Sequence, residues 1–310
     1  MTTPRDDVIL VTGATGRIGR LVVDELRAAG KRVRALTRRP ERAAMPPDVE
    51  VVAGDFTAAD SLAPALRGVG AVFLVWTAPL EHASAVVARL AADAPPQRRV
   101  VYLSAPFRTP HPFFQQPNPM RDLHAELERL IASTSLDVSV IRPGMFASNA
   151  LHWWAPQIRA GDVVRWPYAA AETAPIDERD IAAVAARVLT DARHARGDYV
   201  LTSEASLRQD EQVHLIGEAI GRSVRYEEVT PEQFQREAEG TWPPGVARML
   251  LGAWSAAVGR PAFVSTSVRE ILGAPPRSFS QWAADHATAF ARLDIPPITS
   301  SKLPPDEARR

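Results

Sequence analysis

Residues 8–11, Val-Ile-Leu-Val, run directly into Thr12-Gly13-Ala14-Thr15-Gly16-Arg17-Ile18-Gly19, and this junction constrains the chain more than any other stretch. Three glycines so spaced let a backbone turn tightly and enter a helix whose first N–H groups have no partners. Such a helix start attracts phosphate through those N–H groups and the helix dipole. The spacing is GxxGxxG, which departs from the GxGxxG of dehydrogenase-type dinucleotide folds. Three glycines could also mark no more than a tight turn with close helix packing. The order of the flanking elements favours a phosphate site. A helix over 17–29 carries Ile18, Leu21, Val22 and Leu26 on one face, ends at Gly30, and leads to a second strand at 33–36.

The same alternation continues. Strands are predicted at 49–52, 71–75, 100–103, 138–141 and 199–201, with helices over 60–66, 81–92, 121–132 and 178–189. Right-handed crossovers between such strands require an α/β fold, a doubly wound parallel sheet of the Rossmann type. The predicted sheet domain takes in residues 1–144 plus about 174–204. Residues from about 145 to 173 plus 205–295 then form a smaller, mostly helical substrate lobe, and the Pro- and Ser-rich stretch 296–310 reads as a disordered tail. With 310 residues, 46% of them hydrophobic, the chain can bury a full core and still build that second lobe.

Composition narrows the partners. Basic and acidic residues balance at 36 each with no long like-charge block, which points away from nucleic acid and anionic membranes and toward a small molecule. The absence of cysteine excludes disulfides, thiolate nucleophiles and cysteine-held metals, so redox chemistry needs a borrowed cofactor. No histidine pair is spaced for a metal site, so none is expected. The lack of an apolar leader or of an 18-residue apolar span predicts a cytoplasmic protein.

Cofactor choice is read after the second strand. An NAD site places Asp or Glu there, whereas this chain has Leu36-Thr37-Arg38-Arg39. A guanidinium can pair with a 2′-phosphate, which predicts NADP(H), although Arg38 and Arg39 could also be a solvated loop. Asp55 and Phe56 after the third strand could meet an adenine, and Asp55 could equally cap a helix.

Together these residues resemble the NmrA-like branch of the atypical short-chain dehydrogenases/reductases. The likeness rests on the glycine turn, Thr37-Arg38, Gly54-Asp55, the helix from His124, Ile141-Arg142-Pro143-Gly144-Met145-Phe146 with Asn149, and Ile176-Asp177-Glu178-Arg179-Asp180-Ile181-Ala182. It implies that Gly13, Thr15, Gly16, Arg17 and Ile18 bind the pyrophosphate, Arg38 the 2′-phosphate, and Asp55 and Phe56 the adenine. It further implies Trp76, Thr77 and Ala78 at the nicotinamide ribose, and Pro143, Gly144, Met145 and Phe146 at the nicotinamide.

The wider superfamily uses a Tyr acid followed four residues later by Lys, with a Ser at the end of the fifth strand. Here Ser104 takes the serine place, but the helix positions hold Met120 and His124. Neither Lys31 nor Lys302 can serve, and none of Tyr102, Tyr168, Tyr199 or Tyr226 precedes a lysine at that spacing. His124 is the best remaining proton donor, ahead of His152 and His111, although a lone helical histidine can be structural. Phe107, Asn149, Trp153 and Trp166 would line a substrate site for a flat aromatic or polycyclic molecule, or else pack the lobe. The expected function is NADPH-dependent reduction of a conjugated carbonyl, quinone or related small aromatic metabolite, since such acceptors spread the incoming charge. A non-catalytic NAD(P)-binding redox sensor acting through a protein partner is the alternative.

Overall fold

The computed structural model of the chain describes residues 8–92 and 98–292. The first part of the chain lays down β1 (Val8–Val11), α1 (Arg17–Ala28), β2 (Arg32–Thr37), β3 (Glu50–Ala53), α2 (Ala63–Leu66) and β4 (Val69–Leu74). It continues through α3 (Ala83–Ala91), β5 (Arg99–Leu103), α4 (Pro119–Ala132) and β6 (Asp137–Pro143). After β6 the chain leaves the sheet as α5 (Asn149–Trp153), α6 (Ala155–Ala160), β7 (Val163–Trp166) and β8 (Glu172–Thr173). It then returns through α7 (Glu178–Thr190) to β9 (Asp198–Leu201).

Seven strands pair in the order β3-β2-β1-β4-β5-β6-β9, and every pairing is parallel. A parallel sheet is covered on both faces, which is why β1 is apolar at every position and wholly buried. Its side chains alternate between two cores. Ile9 and Val11 join α1 and α7, while Val8 and Leu10 join α2, α3 and α4. The strand order reverses between β1 and β4, and there the carboxyl ends of the strands splay into a crevice. The fold is the doubly wound one expected from the sequence, and the predicted strands fall where the chain places them.

The rest of the chain forms β10 (Leu207–Arg208), α8 (Gln209–Ala219), β11 (Arg225–Glu228), α9 (Pro231–Ala238), α10 (Val246–Ala257), α11 (Ser267–Leu272) and α12 (Phe279–Asp285). Two short pairings, β8 with β10 and β7 with β11, tie these pieces to the segment that left the sheet. Their common core is aromatic, with Trp153, Trp154, Trp166, Phe234 and Trp254 meeting at ring separations of 4.7 to 6.4 Å. Helix α11 departs from the expected division, because Val268 and Ile271 pack into the sheet core beside α1 and α7. The expected tail at 296–310 lies outside the described residues.

Candidate active site

A cleft of about 720 Å³ opens at the β1/β4 crevice, within the roughly 300–1,000 Å³ usual for cofactor sites. Its floor is the glycine turn. Gly13 has φ +60°, a conformation that favours glycine, and a Cβ at Gly19 would meet the Gly13 carbonyl oxygen at 2.2 Å. Thr12 holds the turn against β4: its hydroxyl lies 3.1 Å from the carbonyls of both Phe73 and Val75 and accepts from the Val75 N–H at 2.8 Å. Helix α1 starts at Gly16 with no side-chain cap and no acidic residue in its first turn. Its leading N–H groups therefore lack intrahelical partners where Gly16, Arg17 and Ile18 line the cleft.

At the far end, Arg38, Arg39 and Arg42 follow β2 and line the same cleft, with Asp55 and Phe56 beside them. Asp55 does not cap a helix. Its Oδ1 accepts from the Thr57 N–H at 2.9 Å, and this bond, the Thr57 hydroxyl and the Arg38 charge hold its carboxyl below the usual value. Thr77 and Ala78 line the cleft after β4, whereas Trp76 does not; its ring stacks on Phe56 at 5.1 Å. Arg17 reaches across to the other lobe, with Nη2 3.4 Å from His152 Nε2, while its Nη1 lies 3.8 Å from the buried Glu178 at the start of α7.

The carboxyl ends of β5 and β6 are built differently. Ser104 is buried, and its hydroxyl donates to Glu128 Oε1 at 2.5 Å. Glu128 is also gripped by Arg142 through two bonds, at 2.6 and 2.8 Å, and by Arg108 at 3.0 Å. Arg142 turns its other edge to Asp198, and its guanidinium lies 5.1 Å from the centre of the Phe107 ring. One helical turn before Glu128, the half-buried His124 places Nδ1 2.5 Å from the hydroxyl of Tyr102, whose side chain is fully buried. Burial pushes the His124 imidazole below its ordinary value and the Tyr102 phenol well above its own.

The model of the NmrA-like family matches residues 5–252. The chain belongs to the NmrA-like family. A (4-alkanoyl-5-oxo-2,5-dihydrofuran-3-yl)methyl phosphate reductase of Streptomyces griseus is 38% identical over 286 residues, covering 92% of this chain and 99% of the relative. An NAD(P)H azoreductase of Xenophilus azovorans is 29% identical, covering 91% and 99%. Among solved structures, the NADPH complex of an Escherichia coli quinone oxidoreductase superposes with a TM-score of 0.76 at 22% identity, over 89% of this chain and 99% of that one. The NADP(H) complex of a Citrobacter sp. triphenylmethane reductase gives 0.76 at 21%, over 90% and 99%.

Within this NmrA-like frame, Ser104 and Trp166 need correction, as Trp76 does above. Ser104 directs its only proton to Glu128, so it has none to offer a reacting oxygen. Trp166 is 3% exposed, donates to Gln209 Oε1 at 3.1 Å and stands inside the aromatic core, so it lines no substrate site. Phe107 supports the Arg108 and Arg142 guanidiniums. Trp153 stacks on Trp166, while Asn149 begins α5 with its N–H bonded to the Phe146 carbonyl at 3.1 Å. Pro143 ends β6, Phe146 bridges to Ile176, and Gly144 and Met145 border a narrow slot lined also by Phe113, Phe114, Ala174 and Phe263. Sequence reasoning missed Tyr102, Glu128 and Arg42 as parts of this region. Glu128 alone carried a signal, being four residues after His124 on one helix face.

No helix among the described residues is long and apolar enough to cross a membrane, and no cluster of three or more metal-binding side chains occurs among them.

Proposed function

We propose that this protein is an NADPH-dependent reductase of a carbon–carbon double bond conjugated to carbonyl groups. The observation that carries the cofactor half is the cleft itself: an uncapped glycine-rich helix start at one end and three arginines at the other. Those two features suit the pyrophosphate and the 2′-phosphate respectively. Gly13, Thr15, Gly16, Arg17 and Ile18 hold the pyrophosphate, Arg38 with Arg39 and Arg42 the 2′-phosphate, and Asp55 and Phe56 the adenine. Thr77 and Ala78 serve the nicotinamide ribose, and Pro143 to Phe146 the nicotinamide end. When bound, NADPH supplies a hydride.

The substrate half rests on the Streptomyces relative and on the missing acid. That relative's named substrate is an unsaturated lactone whose ring double bond is conjugated to the lactone carbonyl and to an alkanoyl group. Hydride addition to such a ring leaves the enolate of a 1,3-dicarbonyl, which is weakly basic and takes its proton from water. A chain without a Tyr–Lys pair suffices for it, and the His124 ring offers the one hydrogen bond the enolate oxygen needs. The tryptophans that would have made a broad aromatic box for a polycyclic ring are instead packed against one another in the lobe core.

The test is NADPH oxidation with an alkanoyl-butenolide, a quinone, an azo dye and a simple unconjugated ketone. Turnover of the conjugated acceptors and none of the ketone is expected. Efficient ketone reduction would overturn the mechanism. Tight NADPH binding without turnover of any acceptor would restore the sensor alternative, which no specific feature of the described residues favours.

A further inference from the structure

Tyr102 is held on β5 between β4 and β6, and His124 on α4, whose start is fixed by Pro119 and by the Asn118 side chain accepting from the Met120 N–H at 2.9 Å. The pair can share its 2.5 Å contact in two ways. If Nδ1–H donates to the phenol oxygen, the Tyr102 hydrogen is left inside the core, where no other acceptor among the described residues bonds it. An orphaned buried donor costs about 1–3 kcal/mol. If the phenol donates to Nδ1, both groups are satisfied, and the ring hydrogen of neutral histidine moves to Nε2. That nitrogen is not among the buried atoms lacking a partner, so it stays open to solvent or to a ligand.

We propose that Tyr102 is a positioning residue whose hydroxyl fixes His124 as the Nε2–H tautomer, making a neutral ring N–H the donor presented to the acceptor's carbonyl oxygen. The donor role rests on the reductase reading above; the tautomer does not. The lowered basicity of the buried imidazole agrees with a ring that donates without being protonated at Nδ1. In the wider superfamily the same helix position carries a lysine, a charged donor. Here a phenol buried in the sheet takes over the orienting task.

The experiment is imidazole ¹H–¹⁵N spectroscopy of the full chain with ¹⁵N-labelled histidine, the His124 signals being assigned by their loss in His124→Gln. An unprotonated Nδ1 with a protonated Nε2 is expected in the wild type, moving toward a tautomer mixture in Tyr102→Phe. A protonated Nδ1, or a spectrum unmoved by Tyr102→Phe, overturns the proposal. Kinetics decide the donor role separately. Glutamine reaches about as far as Nε2 and asparagine does not, so His124→Gln should stay within a few-fold of wild-type turnover. His124→Asn and His124→Ala should lose up to about a hundredfold, the low end for a positioned acid. If His124→Gln falls as far as His124→Ala, the donor role is wrong while the spectra still decide the tautomer. If the wild type turns over no acceptor, the reductase reading fails and the spectra again stand alone.

Discussion

The glycine turn and the end of β5 both present polar groups at the carboxyl edge of one parallel sheet, and they do so in opposite ways. In the turn, the leading N–H groups of α1 have no side-chain cap, and Arg38 and Arg39 have no salt bridge among the described residues. At β5 and β6 almost every polar group already has a protein partner: Ser104 with Glu128, Arg142 with Glu128 and Asp198, Tyr102 with His124. Unsatisfied groups beside an open cleft make a binding surface. Satisfied groups in a dry interior make a scaffold, since buried charges are tolerated only when paired. Positions that look alike when counted from strand ends can therefore do different work.

Substitutions can break this contrast. The largest effect is expected from Gly16→Val, which puts a branched side chain where even a Cβ would stand 3.2 Å from the Gly13 carbonyl oxygen and fills the space a pyrophosphate needs. NADPH binding should be lost in calorimetry while circular dichroism stays native; normal binding would show that the phosphate site is elsewhere. Arg142→Met tests the other side, because it leaves the buried Glu128 carboxylate with only the exposed Arg108 as a charged partner, beside the neutral Ser104 hydroxyl. Urea unfolding should report a loss of about 3 to 5 kcal/mol, with NADPH affinity almost unchanged. Equal stability, or a matching loss of affinity, would erase the distinction between surface and scaffold.

Smaller effects sharpen the contrast. Arg38→Ala should remove most of the preference for NADPH over NADH, about 1–3 kcal/mol if the contact is charge-assisted. Wild-type protein that binds both cofactors equally would refute the assignment. Ser104→Ala is expected to do least, costing about 1–2 kcal/mol of stability through the lost bond to Glu128 and leaving turnover within a few-fold. A drop in turnover approaching a hundredfold would return Ser104 to the reacting centre.

What the sequence revealed follows the same division. The glycine turn was legible because its requirement is local: φ at Gly13 and the absence of a Cβ at Gly19 are properties of a few consecutive residues. The place of Arg38 at the cleft was legible because it is counted from the end of β2. Ser104 and Trp166 were not, because the groups that claim them, Glu128 and Gln209, lie 24 and 43 residues away in the chain. Trp76 failed for a related reason. The family resemblance put it beside Thr77 and Ala78 at the cleft, and only packing against Phe56 decided which way the ring faces.

That ring has an optical consequence. Of the seven tryptophans, Trp76 alone belongs to the sheet domain; the others, from Trp153 to Trp282, crowd the second lobe. Indole emission is quenched or passed on by a neighbouring nicotinamide that absorbs where indole emits, and Trp76 stacks on a residue of the cleft wall. The lobe's six indoles, several in contact with one another, share excitation among themselves and report the state of their own core. The molecule thus carries two built-in fluorophore populations, one beside its cofactor cleft and one that follows the integrity of the lobe, and Trp76→Phe would separate the two signals.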